Sequence, residues 1–407
     1  MKRFLVLSSL LITGLLSAGI QAQSGWYKLI SGVSHHLYAI DFPTDNVGYV
    51  AGANGFIGKT TNAGFTWTTL QTEPGQHYYA LHFLDATTGF VAGENGRIMK
   101  TTDGGANWTT LTTPSTNPIR KLCFPTATTG YAAGLYFTAW KTTNGGTSWT
   151  SVAPSGSYTW FYDACFIDQN NGFLCGSMNS IYHTTDGGST WTQPVSGTTG
   201  DVNSLGFFNS QSGIACAGFG DILRTVDGGI NWISAYSGTF KIFNSLAILS
   251  ATEAIAVGSD GAIIKTVNAG QQWTARLSGT MNSLNHVFKR SATTLYACGN
   301  SGTILKTTSA GEPTGIDEAA TMVASLNTYW DRQANTLQIR FFAMQPVRIT
   351  FDITDLGGRL LHTFPEIICT QAGEQYYVLY LPQLPAAPYL LRLRHAKTMR
   401  GTLLPLF

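Results

Sequence analysis

Three aspartates, Asp103, Asp186 and Asp227, recur within nearly identical eight-residue motifs. A carboxylate in a repeated motif can serve as a general acid, a nucleophile or a metal ligand. The other four copies of the motif carry an amide or a hydroxyl at the acidic position: Asn62, Asn144, Asn268 and Ser309. These side chains cannot replace a catalytic acid, but they do accept hydrogen bonds from turn amides. The sequence therefore predicts that the three aspartates are structural.

A second group of residues combines aromatic rings with charged groups, a composition suited to gripping sugar rings or an extended peptide. They come from connections and hairpins that we expect on one face of the molecule: Tyr158, Trp160, Tyr136, Phe137, Arg120, Asp163 and Arg97. Tyr158 and Trp160 lie in the longest of these connections, and we expect both to be exposed. Tyr38, Tyr79 and Tyr162 share one offset in the repeat, so we expect them to pack rather than bind.

Two other site classes are not predicted. His35 and His36 are adjacent but have no further ligand at a metal-binding spacing, so we expect no metal and no cofactor. The net charge is +2, and the repeats contain no concentrated basic face, which argues against a nucleic-acid partner. Charged residues make up 11% of the chain, and Gly, Thr, Ser and Asn are abundant instead. This composition is typical of turn-rich extracellular β-proteins.

The motifs that carry these residues lie 41 or 42 residues apart, the length of a propeller blade. A basic residue, or His183 in one copy, stands eight positions before each motif tryptophan. The tryptophans are expected to fill the gaps between blades: Trp67, Trp108, Trp149, Trp191, Trp232 and Trp273. A recurring small residue followed by glycine, as in Ala92-Gly93, is expected where neighbouring sheets converge. The sequence predicts an all-β fold, a seven-bladed β-propeller with four strands per blade.

The seventh motif begins at Thr307 but has Thr314 where its tryptophan belongs. Counting 41 residues back from Trp67 gives Trp26, in a segment that resembles the strands after the other motifs. We therefore predict that the N-terminal strand completes the last blade, which removes an open sheet edge. On this basis the propeller spans residues 24–314.

The N-terminus has the composition of a secretory signal peptide. Lys2 and Arg3 precede an apolar stretch from Phe4 to Ala18, and a small-residue cleavage site precedes Gln23. The apolar stretch is too short to span a bilayer, and no other segment reaches transmembrane length. Residues 1–22 are thus predicted to direct export.

Export makes the six cysteines informative, because disulfides persist outside the cytoplasm. Cys123 and Cys165 share one offset in the repeat, and Cys175, Cys216 and Cys298 share another. Cysteine at a tight strand position is expected to be a buried free thiol. The alternative is a Cys123–Cys165 bridge between adjacent blades.

The Thr-x-Asp-Gly-Gly-x-x-Trp copies resemble the Asp-box, or BNR, repeat of sialidases and related propellers. The longer unit with Lys-Thr-Thr-Asp-Gly-Gly and Trp is most similar to the seven-bladed photosystem II assembly-factor-like propellers. The resemblance covers roughly residues 24–314. It implies the fold and leaves the function open, since one fold supports many functions.

The repeat stops at a predicted linker, residues 315–325, and residues 326–407 are predicted to form a small Ig-like β-sandwich. Residues 352–361 and 384–393 resemble the C-terminal sorting domain of type IX secretion cargo in Bacteroidota. The resemblance implies a Gram-negative bacterium, passage through the periplasm and recognition by the type IX machinery, rather than photosynthesis. A basic end either contacts that machinery or forms a solvated hairpin: Arg392, Arg394, His395, Lys397 and Arg400.

Together these features predict a non-catalytic propeller, secreted or displayed on the cell surface, that binds protein or glycan. The alternative is a glycoside hydrolase, sialidase-like or of another propeller type. A sialidase needs three converging arginines, and the propeller has few arginines, one of which, Arg224, occupies the repeated lysine position. Asp163 and Asp201 are the remaining carboxylate pair for hydrolysis.

Overall fold

The computed structural model describes residues 25–156, 158–236 and 239–312, and these ranges of the C-terminal region: 323–331, 336–343, 347–355, 359–370, 373–381, 387–395 and 398–406. The predicted signal peptide, Thr314 and most of the predicted linker lie outside the described residues. In the part described, no helix is long and apolar enough to cross a membrane.

Seven antiparallel sheets follow one another between Tyr27 and Thr307. Sheets 1 to 3 have four strands each, paired in chain order. Sheet 1 contains β2 (Leu37–Asp41), β3 (Gly48–Gly52), β4 (Ile57–Thr60) and β5 (Thr68–Gln71). Sheet 2 contains β6 (Tyr78–Phe83), β7 (Gly89–Gly93), β8 (Ile98–Thr101) and β9 (Thr109–Thr110). Sheet 3 contains β10 (Ile119–Cys123), β11 (Gly130–Gly134), β12 (Thr138–Thr142) and β13 (Thr150–Ser151).

Sheets 4 to 7 continue the pattern. Sheet 4 contains β14 (Phe161–Phe166), β15 (Gly172–Gly176) and β16 (Ile181–Thr184). Sheet 5 contains β17 (Val202–Phe207), β18 (Gly213–Ala217), β19 (Asp221–Thr225) and β20 (Ile233–Tyr236). Sheet 6 contains β21 (Phe243–Ile248), β22 (Ala254–Gly258), β23 (Ile263–Thr266) and β24 (Thr274–Arg276). Sheet 7 contains β25 (Leu284–Lys289), β26 (Leu295–Gly299), β27 (Thr303–Thr307) and β1 (Tyr27–Ile30).

Short 3-10 turns join the second and third strands of sheets 1, 2, 5 and 6: Ala53–Gly55, Glu94–Gly96, Gly218–Gly220 and Ser259–Gly261. An all-β, propeller-like fold built from four-stranded antiparallel sheets is therefore confirmed.

Strand β1 pairs with β27 in antiparallel register, with Tyr27 opposite Lys306. Trp26, just before β1, is 3% exposed and packs in a cluster with Leu305 and Ala310. A Cβ atom added to Gly311 would lie 2.7 Å from the Trp26 indole nitrogen. Trp26 thus sits against the seventh motif turn, where the motif itself supplies no tryptophan.

Sheet 4 lacks a fourth strand, and the reason lies in one residue. In sheets 2 and 3 the third residue after the motif tryptophan donates its amide to the third strand, from Leu111 to Ile98 and from Val152 to Ala139. The equivalent residue in sheet 4 is Pro194, which has no amide hydrogen. In this described segment, a single β-bridge between His183 of β16 and Thr192 stands where the other sheets have their fourth strand.

The hydrophobic core lies between successive sheets. Tyr49 and Ile57 of sheet 1 form one buried cluster with Tyr78 and Val91 of sheet 2. Residues of sheets 1 and 7 form another, and in it the rings of Phe42 and Tyr296 stack at 3.6 Å. The first and last sheets therefore pack on each other as neighbours do.

The glycine that ends the second strand in six of the seven sheets is required for a different reason from the one expected. A Cβ on Gly93 would lie 1.9 Å from the His77 carbonyl oxygen, and one on Gly176 would lie 1.8 Å from that of Trp160. Both carbonyls precede the innermost strand of the same sheet. The crowding therefore comes from backbone within one sheet, and not from the convergence of neighbouring sheets.

Two further sheets form the C-terminal region. One has the order β28-β29-β33, and the other has the order β31-β30-β34-β35 with β32 also paired to β30. Their strands are β28 (Val323–Asp331), β29 (Thr336–Ala343), β30 (Val347–Thr354), β31 (Leu360–Thr363), β32 (Ile367–Cys369), β33 (Gly373–Tyr380), β34 (Ala387–His395) and β35 (Thr398–Leu406). The basic end falls largely on the β34–β35 hairpin, with Lys397 outside the described residues.

All six cysteines are free thiols in the structure. Cys123 and Cys165 are half-buried, and the other four are buried. The alternative bridge between Cys123 and Cys165 is therefore not formed.

Candidate ligand-binding site

Six of the seven motifs close their turn around one side-chain oxygen of the Asp or Asn. Asp103 Oδ1 accepts hydrogen bonds from the Asn107 amide nitrogen at 2.9 Å and the Thr101 hydroxyl at 2.8 Å. Asn62 Oδ1 accepts the equivalent bond from the Thr66 amide nitrogen at 2.9 Å. The bonds from Asn107, and then the one from Thr101, lower the pKa of Asp103 to about 2. Hydrogen bonds also lower the pKa of the other two motif carboxylates to about 2: Asp186 and Asp227.

The basic residue that opens each motif links one sheet to the next. Lys59 Nζ donates to the Gly104 carbonyl oxygen at 2.8 Å, in the motif turn of the following sheet. Four other residues make the equivalent contact: Lys100, Lys141, Arg224 and Lys306. Motif tryptophans meet a phenylalanine edge-to-face in five sheets: Trp67, Trp108, Trp149, Trp191 and Trp232. Trp273 packs against the cluster between sheets 5 and 6. These motif residues hold the scaffold together.

An irregularity of the innermost strands positions one side chain of each sheet. In each of sheets 1 to 7 the register between the first two strands slips by one residue, as in a β-bulge. The seven bulged residues, the bulge ring, line a cavity of about 670 Å³ enclosed by the innermost strands: Tyr38, Tyr79, Arg120, Tyr162, Asn203, Asn244 and Asn285. The bulge therefore aims one side chain per sheet at a common space.

The bulge ring has two chemically different halves. In sheets 5 to 7, Asn203, Asn244 and Asn285 each donate an amide hydrogen to a carbonyl of the next sheet, at 2.8–3.0 Å. Their role is to join sheets. In sheets 1 to 4 the same position carries three tyrosines and Arg120. These four side chains break the asparagine pattern and do not make its inter-sheet bond.

Arg120 lies among the tyrosines of this second half. Its guanidinium carbon is 4.0 Å from the centroid of the Tyr79 ring, and the Tyr38 ring lies 5.1 Å from that of Tyr79. The Arg120 Nε atom is buried and has no hydrogen-bond partner in the described part of the chain. Burial raises the pKa of Tyr79 to about 12, helped by the hydrogen bond to Glu94 and opposed by the charge of Arg120. Burial likewise raises the pKa of Tyr162 to about 12.

Charged and hydroxyl side chains that line the same cavity form ion pairs and hydrogen bonds with one another. Lys121 Nζ lies 2.9 Å from Asp163 Oδ1, and Asp163 Oδ2 accepts a hydrogen bond from the Ser204 hydroxyl at 2.7 Å. Burial lowers the pKa of Lys121 most strongly, but the charge of Asp163, the hydrogen bond to it and the neighbouring Cys123 and Cys165 together outweigh burial and raise the pKa. Burial lowers the pKa of His82 to about 4 and that of His286 to about 3. Both imidazoles are therefore neutral at pH 7.

Four of the predicted ligand-binding residues come together. Tyr136 meets Trp160 with ring centroids 5.6 Å apart, and Phe137 meets Tyr158 at the same distance. All four are exposed, Tyr158 most of all at 74%. They form a group of rings where the hairpin of sheet 3 meets the connection to sheet 4.

The three charged residues that were also predicted to bind a ligand lie in three different places. Arg120 belongs to the bulge ring. Asp163 lines the cavity but is 4% exposed and bonded to Lys121 and Ser204. Arg97 is paired with Glu73 at 2.6 Å and does not line the cavity.

The three tyrosines expected to pack have a different location. Tyr38, Tyr79 and Tyr162 are only partly buried, and they line the cavity beside Arg120. A signal for this was present in the sequence, because Arg120 lies 41 residues after Tyr79 and 42 before Tyr162. Residues with the same offset in the repeat occupy equivalent positions in successive sheets, and here the equivalent position faces the cavity.

A model of the family described as photosynthesis system II assembly factor YCF48 matches residues 19–156, 108–239 and 155–314. The chain belongs to the YCF48 family. One solved structure, described as "YCF48 bound to D1 peptide", is similar with a TM-score of 0.61 and 16% identity, covering 70% of this chain and 97% of the other. The structure of YCF48 from Cyanidioschyzon merolae is similar with a TM-score of 0.60 and 17% identity, covering 69% of this chain and 98% of the other.

A propeller outside the YCF48 family is also similar. The WD40 β-propeller domain of Doa1 gives a TM-score of 0.59 and 12% identity, covering 70% of this chain and 95% of that one. At these identities the likeness to solved structures concerns the fold. No curated protein matches the sequence.

Proposed function

We propose that this protein is a non-catalytic propeller that binds a segment of a partner protein over the bulge ring. The observation that carries the proposal is the break in the ring, where Tyr38, Tyr79, Arg120 and Tyr162 replace the sheet-joining asparagines. Aromatic faces contribute contact area, and a guanidinium fixes polar groups of a ligand. Membership of the YCF48 family supports protein binding, since one YCF48 structure is described as bound to a peptide.

Hydrolysis has less support. A general acid must reach its substrate, whereas Asp163 is 4% exposed and occupied by Lys121 and Ser204. Asp201 accepts hydrogen bonds from the Tyr162 hydroxyl and the Met178 amide nitrogen. Each of these two carboxylates therefore has a role in holding its surroundings.

The proposal takes the seven sheets as a closed seven-bladed ring. Two hydrogen bonds between the first and last sheets, and the addition of the N-terminal strand to the last sheet, support closure. His286 Nδ1 accepts a hydrogen bond from the Ile40 amide nitrogen at 3.3 Å, Asn285 donates to the Leu37 carbonyl at 2.8 Å, and β1 pairs with β27. A closed ring protects every inner strand and gives the cavity a continuous wall.

We also propose export to the cell surface or medium of a Gram-negative bacterium by the type IX route, with an Ig-like C-terminal sorting domain. The residue pattern of the first 22 positions and the strands of the C-terminal region support this route. Deletion of residues 326–407 is expected to leave the protein in the periplasm, as detected by cell fractionation. Undiminished release of the truncated protein would contradict the route.

Binding is tested with the purified full chain on a synthetic peptide array and a glycan array. Arg120→Gln is the test variant, and Arg97→Gln is the matched control, because Arg97 is paired with Glu73 outside the cavity. We expect peptide binding that Arg120→Gln weakens at least tenfold and Arg97→Gln leaves unchanged. Peptide binding that is equal in both variants, or release of sugar from an arrayed glycan, would overturn the proposal.

A further inference from the structure

Each hairpin between the second and third strands holds two consecutive residues in the left-handed conformation, and seven residues, one per sheet, occupy the first of these two positions. The seven residues have φ between 52° and 60°. Four sheets use short polar residues that tolerate this conformation: Asn54, Asn95, Asp260 and Ser301. Sheets 3, 4 and 5 instead use Tyr136, Met178 and Phe219. Nothing in the hairpin conformation favours these large apolar side chains, so their presence points to a role outside the fold.

A second set of large side chains appears in the connections between sheets. Tyr158, Phe240 and Met281 each stand three residues before an innermost strand. The other four connections have small residues there: Ser34, Gly75, Thr116 and Thr199. Two positions of the repeat thus become apolar in the same part of the molecule, from the hairpin of sheet 3 to the connection before sheet 7.

Hairpins and connections belong to one face, because their backbones are hydrogen-bonded. The Phe137 amide nitrogen donates to the Thr159 carbonyl at 3.1 Å, and that of Ser259 donates to the Ile242 carbonyl at 2.8 Å. We name the six large side chains on this face the apolar arc: Tyr136, Met178, Phe219, Tyr158, Phe240 and Met281. Each is between 50% and 82% exposed.

The apolar arc is large enough for a specific interface. At 150–250 Å² per large side chain, it exposes roughly 800 Å². A standard interface buries about 800 Å² per partner. Surface of this size matches what one side of a stable complex needs.

The charged residues next to the apolar arc differ in their partners. Lys241 is paired with Asp260, and Asp221 accepts a hydrogen bond from the Thr198 hydroxyl. Asp201 accepts one from the Met178 amide nitrogen. Asp201 and Asp221 therefore keep a negative charge that no cation pairs with in the described part of the chain, and an acidic segment fits poorly beside the arc.

We infer that the apolar arc binds an apolar segment of the partner protein. The inference rests on the proposed function and assigns it a second contact surface beside the bulge ring. Methionine and aromatic side chains are enriched at protein interfaces. A glycan requires polar groups around its aromatic platforms, and the methionines and phenylalanines of the arc do not supply them.

The test variant is Tyr136→Asn/Met178→Asn/Phe219→Asn, which installs the residue that Asn54 and Asn95 carry in the same conformation. The control is Asn95→Ser, the residue found at Ser301. A phage-displayed library of random linear peptides is selected on the full chain, and circular dichroism verifies the fold of both variants. We expect selected peptides rich in uncharged apolar residues, with binding at least tenfold weaker to the triple variant and unchanged in the control.

Other outcomes overturn the inference in separable ways. Peptides that bind the triple variant normally but no longer bind Arg120→Gln would support the bulge ring as a binding site and reject the arc as one. Peptides rich in charged residues, or none selected, would also reject it. If the wild type bound a neutral glycan and only the triple variant lost that binding, a protein would be rejected as the occupant of the apolar arc.

Discussion

The guanidinium of Arg120 stacks on the ring of Tyr79 at 4.0 Å, across the boundary between sheets 2 and 3. The Tyr79 hydroxyl donates a hydrogen bond to Glu94 Oε1 at 3.0 Å, which fixes the orientation of the ring. The guanidinium therefore rests on a surface that is itself held in place. Preorganisation of this kind lowers the entropy lost when a ligand binds.

Replacing Arg120 is expected to affect binding far more than folding. A cation–π contact at a partly exposed site is worth about 0.5–1 kcal/mol, so Arg120→Gln should lower the free energy of unfolding by that amount. Lys121→Gln should cost about 3 kcal/mol, because it leaves the buried Asp163 carboxylate unpaired. Urea denaturation of both variants measures the difference. Equal losses would mean that Arg120 is a structural residue.

The motif aspartates are expected to depend on an acceptor oxygen rather than on charge. Asp103→Asn should retain stability at pH 7, since Asn62 closes the same turn, whereas Asp103→Ala should lower the thermal midpoint. The folded pKa of about 2 lies below the unfolded value, so the ionised form contributes stability that is complete above pH 4 and lost as the pH falls through 2. Calorimetry from pH 2 to 7 should show this acid loss in the wild type. A thermal midpoint in Asp103→Asn as low as that in Asp103→Ala would contradict the view.

Asp41 is expected to have the opposite pH dependence. Burial raises its pKa to about 7, although amide hydrogen bonds from Phe83 and Phe42 and the charges of Arg290 and Lys121 oppose this. The unfolded carboxyl ionises near pH 4 and the folded one near pH 7, so stability falls as the pH rises between these values. Asp41→Asn should therefore be more stable than the wild type at pH 8, by roughly 2–4 kcal/mol. Urea denaturation at pH 5 and pH 8 measures the effect, and an equal difference at both would refute it.

Substitutions at two glycines distinguish the stability cost of steric crowding from that of a left-handed backbone. Gly93→Ala places Cβ on the His77 carbonyl oxygen, 1.9 Å away, and should cost roughly 4 kcal/mol or more. Gly32 has a φ of 76° but no atom within 4 Å of the added Cβ, so Gly32→Ala should cost about 1–2 kcal/mol. Chemical denaturation ranks the two variants. A similar loss in both would show that the strand has room to move.

Tyr136→Asn is expected to leave stability within about 1 kcal/mol of the wild type. The change relieves a left-handed tyrosine, worth about 1 kcal/mol, and removes the ring contact with Trp160, worth about 0.5–1.5 kcal/mol. The two effects oppose each other. A thermal melt tests this, and a loss above 2 kcal/mol would identify Tyr136 as a folding residue.

The sequence predicted the scaffold because a period of 41 or 42 residues repeats every feature that builds a sheet. The vacant tryptophan position after Thr307 even indicated Trp26, which packs beside Leu305. Such features are local or periodic, so their spacing alone reveals them. The missing fourth strand of sheet 4 was equally local, and Pro194 carried its signal.

The candidate site was predicted only in part. Exposed rings such as Tyr158 were found because they lie in the longest connection, but the cavity-facing Tyr79 was taken for a packing residue because it follows the repeat. Which way a repeated side chain points depends on the β-bulge, a shift of one residue that leaves no mark in composition. Asp163 and its neighbour Ser204 lie 41 residues apart, at the same repeat position of adjacent sheets, so the spacing could have indicated that contact.

The pairing of Tyr27 with Lys306 also sets an order of events during synthesis. Strand β1 leaves the ribosome first, and its partner β27 leaves after all the other strands of the seven sheets. At 5–20 residues per second, β1 waits roughly 15–60 s for its partner. Completion of sheet 7 is therefore the last step available to the nascent propeller, and any chain that stops short of Thr307 retains an unpaired edge that marks it as unfinished.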